Sequence, residues 1–227
     1  MKKSILIICI GLLAAAQVQA QYGSGDLLIG GWLNISSGSG TYTTTAGGTS
    51  TSIDLPKTME LGIGPWFGYF VSDDIAVGLG IEYSSDKTTS HDVYVTDDED
   101  VVTMSMFTIT PGARYYMHNE DMVQCYIALG IPIGFGSVTD DYSAGGTTTT
   151  TTTDLSSFGV GISPGTSITL GDHCALDFSY GFLGFMSTTS TYNGTDFNGD
   201  AYTEEVKNSS FGLTFNDGFN FGILFNF

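Results

Sequence analysis

The sequence is short of positive charge, of cysteine and of long apolar runs, and each shortage argues against a class of protein. Its 227 residues include six lysines and arginines against 24 aspartates and glutamates. Nucleic acid is therefore not expected as a partner, because phosphate binding needs clustered basic residues. Three cysteines and no C-x-x-C spacing indicate neither a disulfide framework nor a zinc site. Beyond the first 20 residues no segment approaches the roughly 20 apolar residues that a membrane-spanning helix needs.

The first 20 residues, MKKSILIICIGLLAAAQVQA, have the composition of an export signal. Two lysines precede a short apolar run, and small residues lead up to Ala20. This layout predicts a secretory signal peptide cleaved before Gln21, and one domain over residues 21–227. Cleavage leaves four basic residues against 24 acidic ones.

The last residues, FNFGILFNF, place apolar side chains at every second position. Helical side chains share a face every 3.6 residues, whereas alternate residues of a strand point to opposite faces. The pattern therefore predicts a strand with one apolar face, made by Phe219, Phe221, Ile223, Phe225 and Phe227.

Three prolines punctuate the middle of the chain in a similar context. Pro65, Pro111 and Pro164 each precede an aspartate or asparagine by eight residues, after which a new apolar alternation begins. Each unit is typical of a strand, a tight turn and a returning strand. The segments between the units are polar and acidic, which predicts surface loops, and the seven threonines at 147–153 predict a mobile one.

The alternating segments predict eight strands joined by alternately long and short connections. Long connections follow the odd-numbered strands and short ones follow the even-numbered strands, so the two kinds lie at opposite ends of an up-and-down barrel. The predicted strands cover about residues 26–36, 53–70, 75–86, 101–117, 122–138, 155–170, 174–187 and 209–227.

The two faces of the predicted strands differ in size and polarity. In the third strand Ile75, Val77 and Leu79 share one face, whereas Ala76 and Gly78 share the other. A soluble barrel with its bulky face inward would show water a surface almost free of charge, although soluble surfaces are usually a quarter or more charged. If the bulky faces point outward to lipid instead, the lack of surface charge is expected. The fold class is therefore an all-β, eight-stranded antiparallel transmembrane barrel with small, polar side chains in its lumen.

Few charges fall on the predicted lumen face, and their partners can be named. A charge away from water must be paired to be tolerated. Arg114 is the strong cation of this face, so we expect it to form a salt bridge with at least one lumen carboxylate. A snorkelling Arg114 that reaches the periplasmic end is the alternative. The predicted polar cluster consists of Glu60, Glu82, Arg114 and Asp177.

These features together resemble a known family. The export signal, the eight strands, the PWFGYF and PGARYY strands, the DDIAVGLG return strand and the terminal phenylalanine resemble the small outer-membrane β-barrels of Bacteroidota, related in architecture to OmpX and the OmpA membrane domain. The resemblance implies insertion among outer-membrane lipids and lipopolysaccharide, with long loops extracellular and short turns periplasmic. It also implies that the strand ending at Phe227 is the signal read by the barrel-assembly machinery, although a merely lipid-facing strand would show the same pattern.

Candidate chemistry is sparse. Ser90, His91 and Asp92 have the residue types of a catalytic triad, but neighbours in sequence point in different directions on a strand and a triad is defined by geometry. The acidic run of Asp97, Asp98, Glu99 and Asp100 has carboxylates that suit Ca²⁺ or Mg²⁺, yet it lacks the ligand spacing of a calcium loop. We therefore predict no catalytic residue, metal or cofactor, and read the acidic run as a solvated surface segment.

The resulting prediction is a non-enzymatic outer-membrane barrel with a side-chain-filled lumen, acidic Thr/Gly-rich loops and an envelope-structural or surface-contact role. Three alternatives stay open at this point. The first is a small porin-like channel, and the second is a lipid acyltransferase that uses His91. The third is a soluble lipocalin-like barrel.

Overall fold

The computed structural model describes residues 23–91, 99–117, 122–171, 173–195, 200–214 and 220–226. The predicted signal peptide lies outside these residues. Thirteen strands occur in the described part of the chain: β1 (Leu27–Gly38), β2 (Thr41–Ala46), β3 (Thr49–Asp54), β4 (Lys57–Ser72), β5 (Ile75–Ser90), β6 (Glu99–Met117), β7 (Val123–Gly130), β8 (Ile133–Ala144), β9 (Thr147–Gly171), β10 (Cys174–Ser179), β11 (Phe182–Thr195), β12 (Ala201–Thr214) and β13 (Asn220–Asn226).

Eleven of these strands form one antiparallel sheet. Its order is β10-β13-β1-β4-β5-β6-β7-β9-β11-β12, with β8 paired to β6 and β9, and β10 paired to β9 as well as to β13. The strands β2 and β3 form a separate hairpin. The described residues contain no helix long and apolar enough to cross a membrane.

The sheet has one enclosed face and one exposed face. Leu28 on β1, Tyr116 on β6 and Ala175 on β10 belong to strands that are not neighbours in the sheet, yet they are buried in one cluster with Phe70 and Tyr126. The sheet therefore curls around this inner face. The outer face carries the bulky apolar side chains predicted for it, such as Phe67, at 44% exposure.

Three predicted strands are interrupted within the described residues, and the break in 53–70 lies near its start, between β3 and β4. The segment 122–138 breaks between β7 and β8 at Ile131 and Pro132, where the proline has no N–H to donate. The backbone N–H of Ile131 bonds to Pro111 and that of Gly159 bonds to the carbonyl of Pro132, so both pieces stay in the sheet. The segment 174–187 breaks between β10 and β11, where Gly181 has a positive φ of 66°. The count of eight strands remains a prediction.

The polar segments predicted as loops are largely strands, so the prediction of a mobile threonine run was wrong. Thr147–Thr153 begins β9 and pairs with β8 through the register Ala144↔Thr147 to Val138↔Thr153. Threonine is β-branched and favours extended backbone, which the low-complexity argument neglected. The connecting turn consists of Gly145 and Gly146, whose positive φ values of 58° and 81° suit a tight hairpin.

Hydroxyl pairs support these polar hairpins across the strands. The hydroxyls of Thr43 and Ser52 lie 2.8 Å apart in the β2–β3 hairpin, and those of Ser143 and Thr148 lie 2.8 Å apart in the β8–β9 hairpin. Such pairs each contribute roughly 0.2–1 kcal/mol. The hairpins are therefore held by local contacts more than by a buried core.

Candidate functional site

A layer of buried side chains covers the inner face near the short connections. Its members are at most 2% exposed and lie within three residues of a strand end, at the start of β1 or beside the β4–β5, β6–β7 and β9–β10 connections. Ring centroids are 5.3 Å apart for Phe70 and Tyr116, and 5.4 Å apart for Tyr116 and Tyr126. We call this layer the floor, and it consists of Leu28, Phe70, Ala76, Tyr116, Tyr126 and Ala175.

An ion pair lies directly against the floor. The Arg114 guanidinium reaches from β6 across the interior to Asp177 on β10, with Nη2 3.1 Å from Oδ2 and Nη1 3.2 Å from Oδ1. Because β6 and β10 are not neighbours in the sheet, this contact spans the enclosed space. The side chains are 13% and 16% exposed, so each charge needs the other.

Two aromatic rings and a hydroxyl complete the environment of this ion pair. The guanidinium carbon of Arg114 lies 4.2 Å from the ring centroid of Trp66 and 4.6 Å from that of Tyr126. The Tyr126 hydroxyl donates to Asp177 Oδ2 at 3.2 Å. Planar guanidinium groups suit both bidentate carboxylate pairing and stacking on rings. The two rings and the carboxylate hold the Arg114 guanidinium against the floor.

The other two residues of the predicted polar cluster lie elsewhere on the inner face. Glu82 is half-buried on β5, opposite Thr108 of β6. Glu60 on β4 is exposed and accepts a 3.1 Å hydrogen bond from the Ser36 hydroxyl. Among the described residues Arg114 forms its salt bridge with Asp177 and not with either glutamate. The structure thus brings two of the four residues together.

Above the floor, on the side of the long hairpins, the interior holds a cavity of about 330 Å³. Inner-face glycines of β6, β7 and β9, at positions 112, 130 and 161, leave this space open. The remaining wall is mainly apolar and aromatic, with hydroxyls from three strands. The side chains that shape it include Trp66, Arg114, Tyr126, Ala128, Ser163 and Met186.

Sequence reasoning expected mainly slender inner side chains with a few large ones, Tyr116 and Tyr126 among them, and did not predict that these pack into a floor. Phe70 and Leu28 were not predicted as inner residues, although their even positions place them in register with Arg114. A signal was present in the glycines, since the indole of Trp66 lies where a side chain on Gly68 or Gly78 would be. Runs of glycine opposite a tryptophan therefore indicate a ring lying flat on the sheet, and not an empty channel.

Carboxylates follow the inner face toward the long hairpins. Glu60 and Asp86 are direct cross-strand partners, and Asp100 and Asp140 are hydrogen-bonded on β6 and β8, beyond the apolar outer band. Partial desolvation raises the pKa of Asp140, and the hydrogen bond with Asp100 and the charges of Asp100 and Asp141 raise it further. Because Glu60 and Asp86 are directly opposite each other on neighbouring strands, their negative charges repel.

The structure gives no further support to the metal and triad candidates. Among the described residues no group of three histidines, cysteines or carboxylates could hold a metal ion. Asp97, Asp98 and Asp92 lie outside the described residues, and Glu99 and Asp100 begin β6. His91 is exposed at the end of β5.

The predicted C-terminal signal is described only in part. Phe219 and Phe227 lie outside the described residues, whereas Phe221, Ile223 and Phe225 lie in β13. This strand pairs with β1 through Ile29↔Phe225 and with β10 through Leu176↔Ile223. Phe225 is exposed.

Comparisons with known proteins decide the family. The family model described as "Outer membrane protein beta-barrel domain" matches residues 5–221. The chain belongs to this outer membrane β-barrel family. The protein is accordingly a β-barrel of the bacterial outer membrane, surrounded by lipid. The soluble lipocalin-like alternative is therefore wrong, because the apolar outer face meets hydrocarbon.

Among solved structures, one shares the fold and two further matches have lower TM-scores. The chain is similar to the outer membrane protein OprG from Pseudomonas aeruginosa, at 13% identity and a TM-score of 0.56, covering 92% of this chain and 99% of that one. It also matches Neisserial surface protein A at 15% identity and a TM-score of 0.37, with 90% and 99% coverage. The β-barrel domain of Pseudomonas aeruginosa OprF matches at 13% identity and a TM-score of 0.33, with the same coverage. A search of curated proteins finds no match. At such identities the OprG likeness supports the fold alone.

Proposed function

We propose that the protein is a non-enzymatic, eight-stranded outer-membrane barrel whose lumen is closed to ions, and that it serves envelope structure or surface contact. Its barrel domain begins at residue 21, after the signal peptide. The observation that carries this proposal is the Arg114–Asp177 pair held against the aromatic floor, with atoms 3.1 Å apart. A lumen crossed by a fixed ion pair and buried rings leaves no continuous path for water.

The strand pairings support the count of eight. The sequence β10-β13-β1-β4-β5-β6-β7-β9 contains eight strands, and the additional β9–β10 pairing joins its two ends. In this interpretation β8 and β11 continue β7 and β10 beyond short interruptions. Eight strands enclose an interior just wide enough to be filled by side chains.

The two ends of the barrel support an orientation. Outer-membrane barrels have short periplasmic turns and longer extracellular segments. We therefore place the floor on the periplasmic side, and the acidic, threonine-rich hairpins in the medium next to lipopolysaccharide. The strand β13 carries the alternation expected of a signal for the barrel-assembly machinery during insertion.

Neither open alternative has support from the site. A porin needs a wet path through the lumen, whereas the floor side chains are at most 2% exposed. An acyltransferase needs a positioned base, whereas His91 is exposed at a strand end, and the proposed lack of catalysis is tested by His91→Ala in a lipid-modification assay. Unchanged lipid products in wild type and variant are the expected result.

Single-channel recording tests the closed lumen. We expect the full-length protein in planar bilayers to give no stable conductance above the lipid background. The double variant Tyr116→Ala/Tyr126→Ala removes two floor rings and should conduct if it still migrates as a folded, heat-modifiable band. Stable, large conductance of the unaltered protein would contradict the proposal and favour a channel.

A further inference from the structure

The cavity above the floor meets the Arg114–Asp177 pair at its lower end, where the two charges balance. Arg114 is the base of the cavity, and its charge is neutralised by Asp177 at 3.1 Å. The floor below is closed, so a molecule enters from the side of the hairpins. The cavity volume of about 330 Å³ lies at the lower end of the range for small-molecule sites.

The path to the cavity is negatively charged. Outside the first 20 residues the chain has four basic residues, and Lys57, Lys87 and Lys207 occupy outer-face positions of β4, β5 and β12. Among the residues that the structure describes, Arg114 is thus the sole lysine or arginine of the inner face. Carboxylates on a concave, low-dielectric wall focus a negative potential that attracts cations and repels anions. Those at inner-face positions toward the hairpins include Glu60, Glu82, Asp86, Asp100 and Asp140.

Glu82 lies one inner-face position beyond the lining residues Trp66 and Thr110, on the side of the hairpins. Gly80 pairs with Trp66 across β4 and β5, and Trp66 forms part of the cavity wall. Glu82 occupies the next inner-face position toward the hairpins, about 7 Å further along the strand. It is half-buried and has no salt bridge among the described residues. A half-buried carboxylate gains from a cationic partner.

We propose that this cavity binds a small arylalkylamine, whose ring packs among Trp66, Ala128 and Met186 and whose ammonium group pairs with Glu82. The wall is apolar where the ring lies, and hydroxyls of Thr110 and Ser163 also line the space. An arylalkylamine of the size of phenethylamine is long enough to place its ring in the cavity and its ammonium group at Glu82. The carboxylates along the path to the cavity favour this cation over a carboxylate of the same shape. This inference rests on the proposed closed lumen, because a closed floor leaves the cavity a single entrance from the hairpin side.

Three probes of equal shape and different charge test the proposal by calorimetry on the full-length protein in a neutral detergent. Phenethylamine is cationic, 2-phenylethanol is neutral and phenylacetate is anionic. We expect phenethylamine to bind one per barrel, at least tenfold more tightly than phenylacetate, with an affinity that falls as salt is added. Equal or tighter binding of phenylacetate, or no binding of phenethylamine, overturns the proposal.

Three variants separate the ring site from the charge site. Glu82→Gln should weaken phenethylamine binding about tenfold and leave 2-phenylethanol unchanged. The matched Glu60→Gln, made at the exposed glutamate bonded to Ser36, should change phenethylamine binding less than twofold. Ala128→Phe fills the cavity and should abolish binding of both. Equal losses for the two glutamine variants, or undisturbed binding in Ala128→Phe, contradict the proposed pose.

Conductance of the same preparations keeps the two proposals apart. A non-conducting protein that binds none of the probes refutes the arylalkylamine site and leaves the closed barrel standing. A conducting protein that binds phenethylamine in a Glu82-dependent way refutes the closed lumen instead. Heat-modifiable migration of each variant establishes that it is folded before either measurement.

Discussion

The two ends of the barrel are built from the same strands by different means. At the floor, rings from β4, β6 and β7 pack within 5.3–5.4 Å of each other around an ion pair that crosses the interior. At the hairpin end, residues 201–213 of β12 are all exposed, and hydroxyl pairs and glycine turns hold the strands. Stability therefore comes from long-range burial at one end and from local pairing at the other. Substitutions should have correspondingly different effects.

The largest effect is expected at the ion pair. Asp177→Ala leaves Arg114 charged in a closed interior, which should cost about 3–5 kcal/mol of unfolding free energy. Urea unfolding followed by heat-modifiable gel migration measures this loss. The matched variant Asp154→Ala, at an exposed position of β9, should cost less than about 0.5 kcal/mol. Similar midpoints for the two variants would mean that the pair contributes no more than a surface charge does.

A smaller effect is expected where Trp66 lies flat on the sheet. Gly68→Val puts a side chain into the space of the Trp66 ring, so the ring must move and the variant should lose about 1–3 kcal/mol. Gly212→Val is the control, because a side chain there meets open space. Tryptophan fluorescence should change in the first variant and not in the second. An unaltered spectrum and stability for Gly68→Val would show that the ring is placed differently.

The turn of the β8–β9 hairpin should respond locally. Gly146 has a φ of 81°, which an L-residue adopts at a cost of about 1–2 kcal/mol, so Gly146→Ala should loosen the hairpin. Faster cleavage at residues 139–154 in limited proteolysis is the expected result, with the urea midpoint of the whole barrel unchanged. The strand variant Gly212→Ala serves as the reference. A lowered global midpoint would show that the two ends are not independent.

The smallest effect concerns pH. The pKa of Asp140 is raised in the folded hairpin, so the folded state binds more protons than the unfolded one between the ordinary and the raised value. Hairpin stability should therefore increase as pH falls from neutral toward about 4. Proteolysis rates for residues 139–154, normalised to an unstructured peptide at each pH, measure this change. Asp140→Asn should flatten the profile, and a steeper profile in that variant would contradict the assigned cause.

The sequence predicts which side chains face outward from the barrel better than it predicts which side chains contact each other inside it. The period of two in residues 75–83 and 123–129 correctly gives the outer face, because lipid demands apolar side chains along the whole membrane span. The pairing of Arg114 with a carboxylate follows from charge scarcity alone. Its choice of Asp177 over Glu82 depends on register across β6 and β10, which no local pattern encodes. The packing of Tyr116 and Tyr126 with Phe70 and Leu28 into one floor depends on the same cross-strand register.

The hairpins were missed for a different reason. Residues 41–54 and 139–154 are polar and repetitive, which favours surface loops by composition, although β-branched threonines and Gly-Gly turns are a hairpin signal. The composition predicts loops, whereas the β-branched residues and glycine turns predict hairpins. The hairpins form because each of them extends strands that the barrel already holds in place.

The regular ladder of these hairpins sets a rule for changes in their length. In β8 and β9 every second residue returns to the same face, so inserting two residues in each arm preserves all remaining cross-strand partners. Inserting one in each arm exchanges the faces of every residue beyond it. The exposed hairpins can therefore lengthen or shorten in steps of two residues per arm while the membrane wall stays the same, and a foreign peptide grafted onto a tip in such steps should be displayed without disturbing assembly.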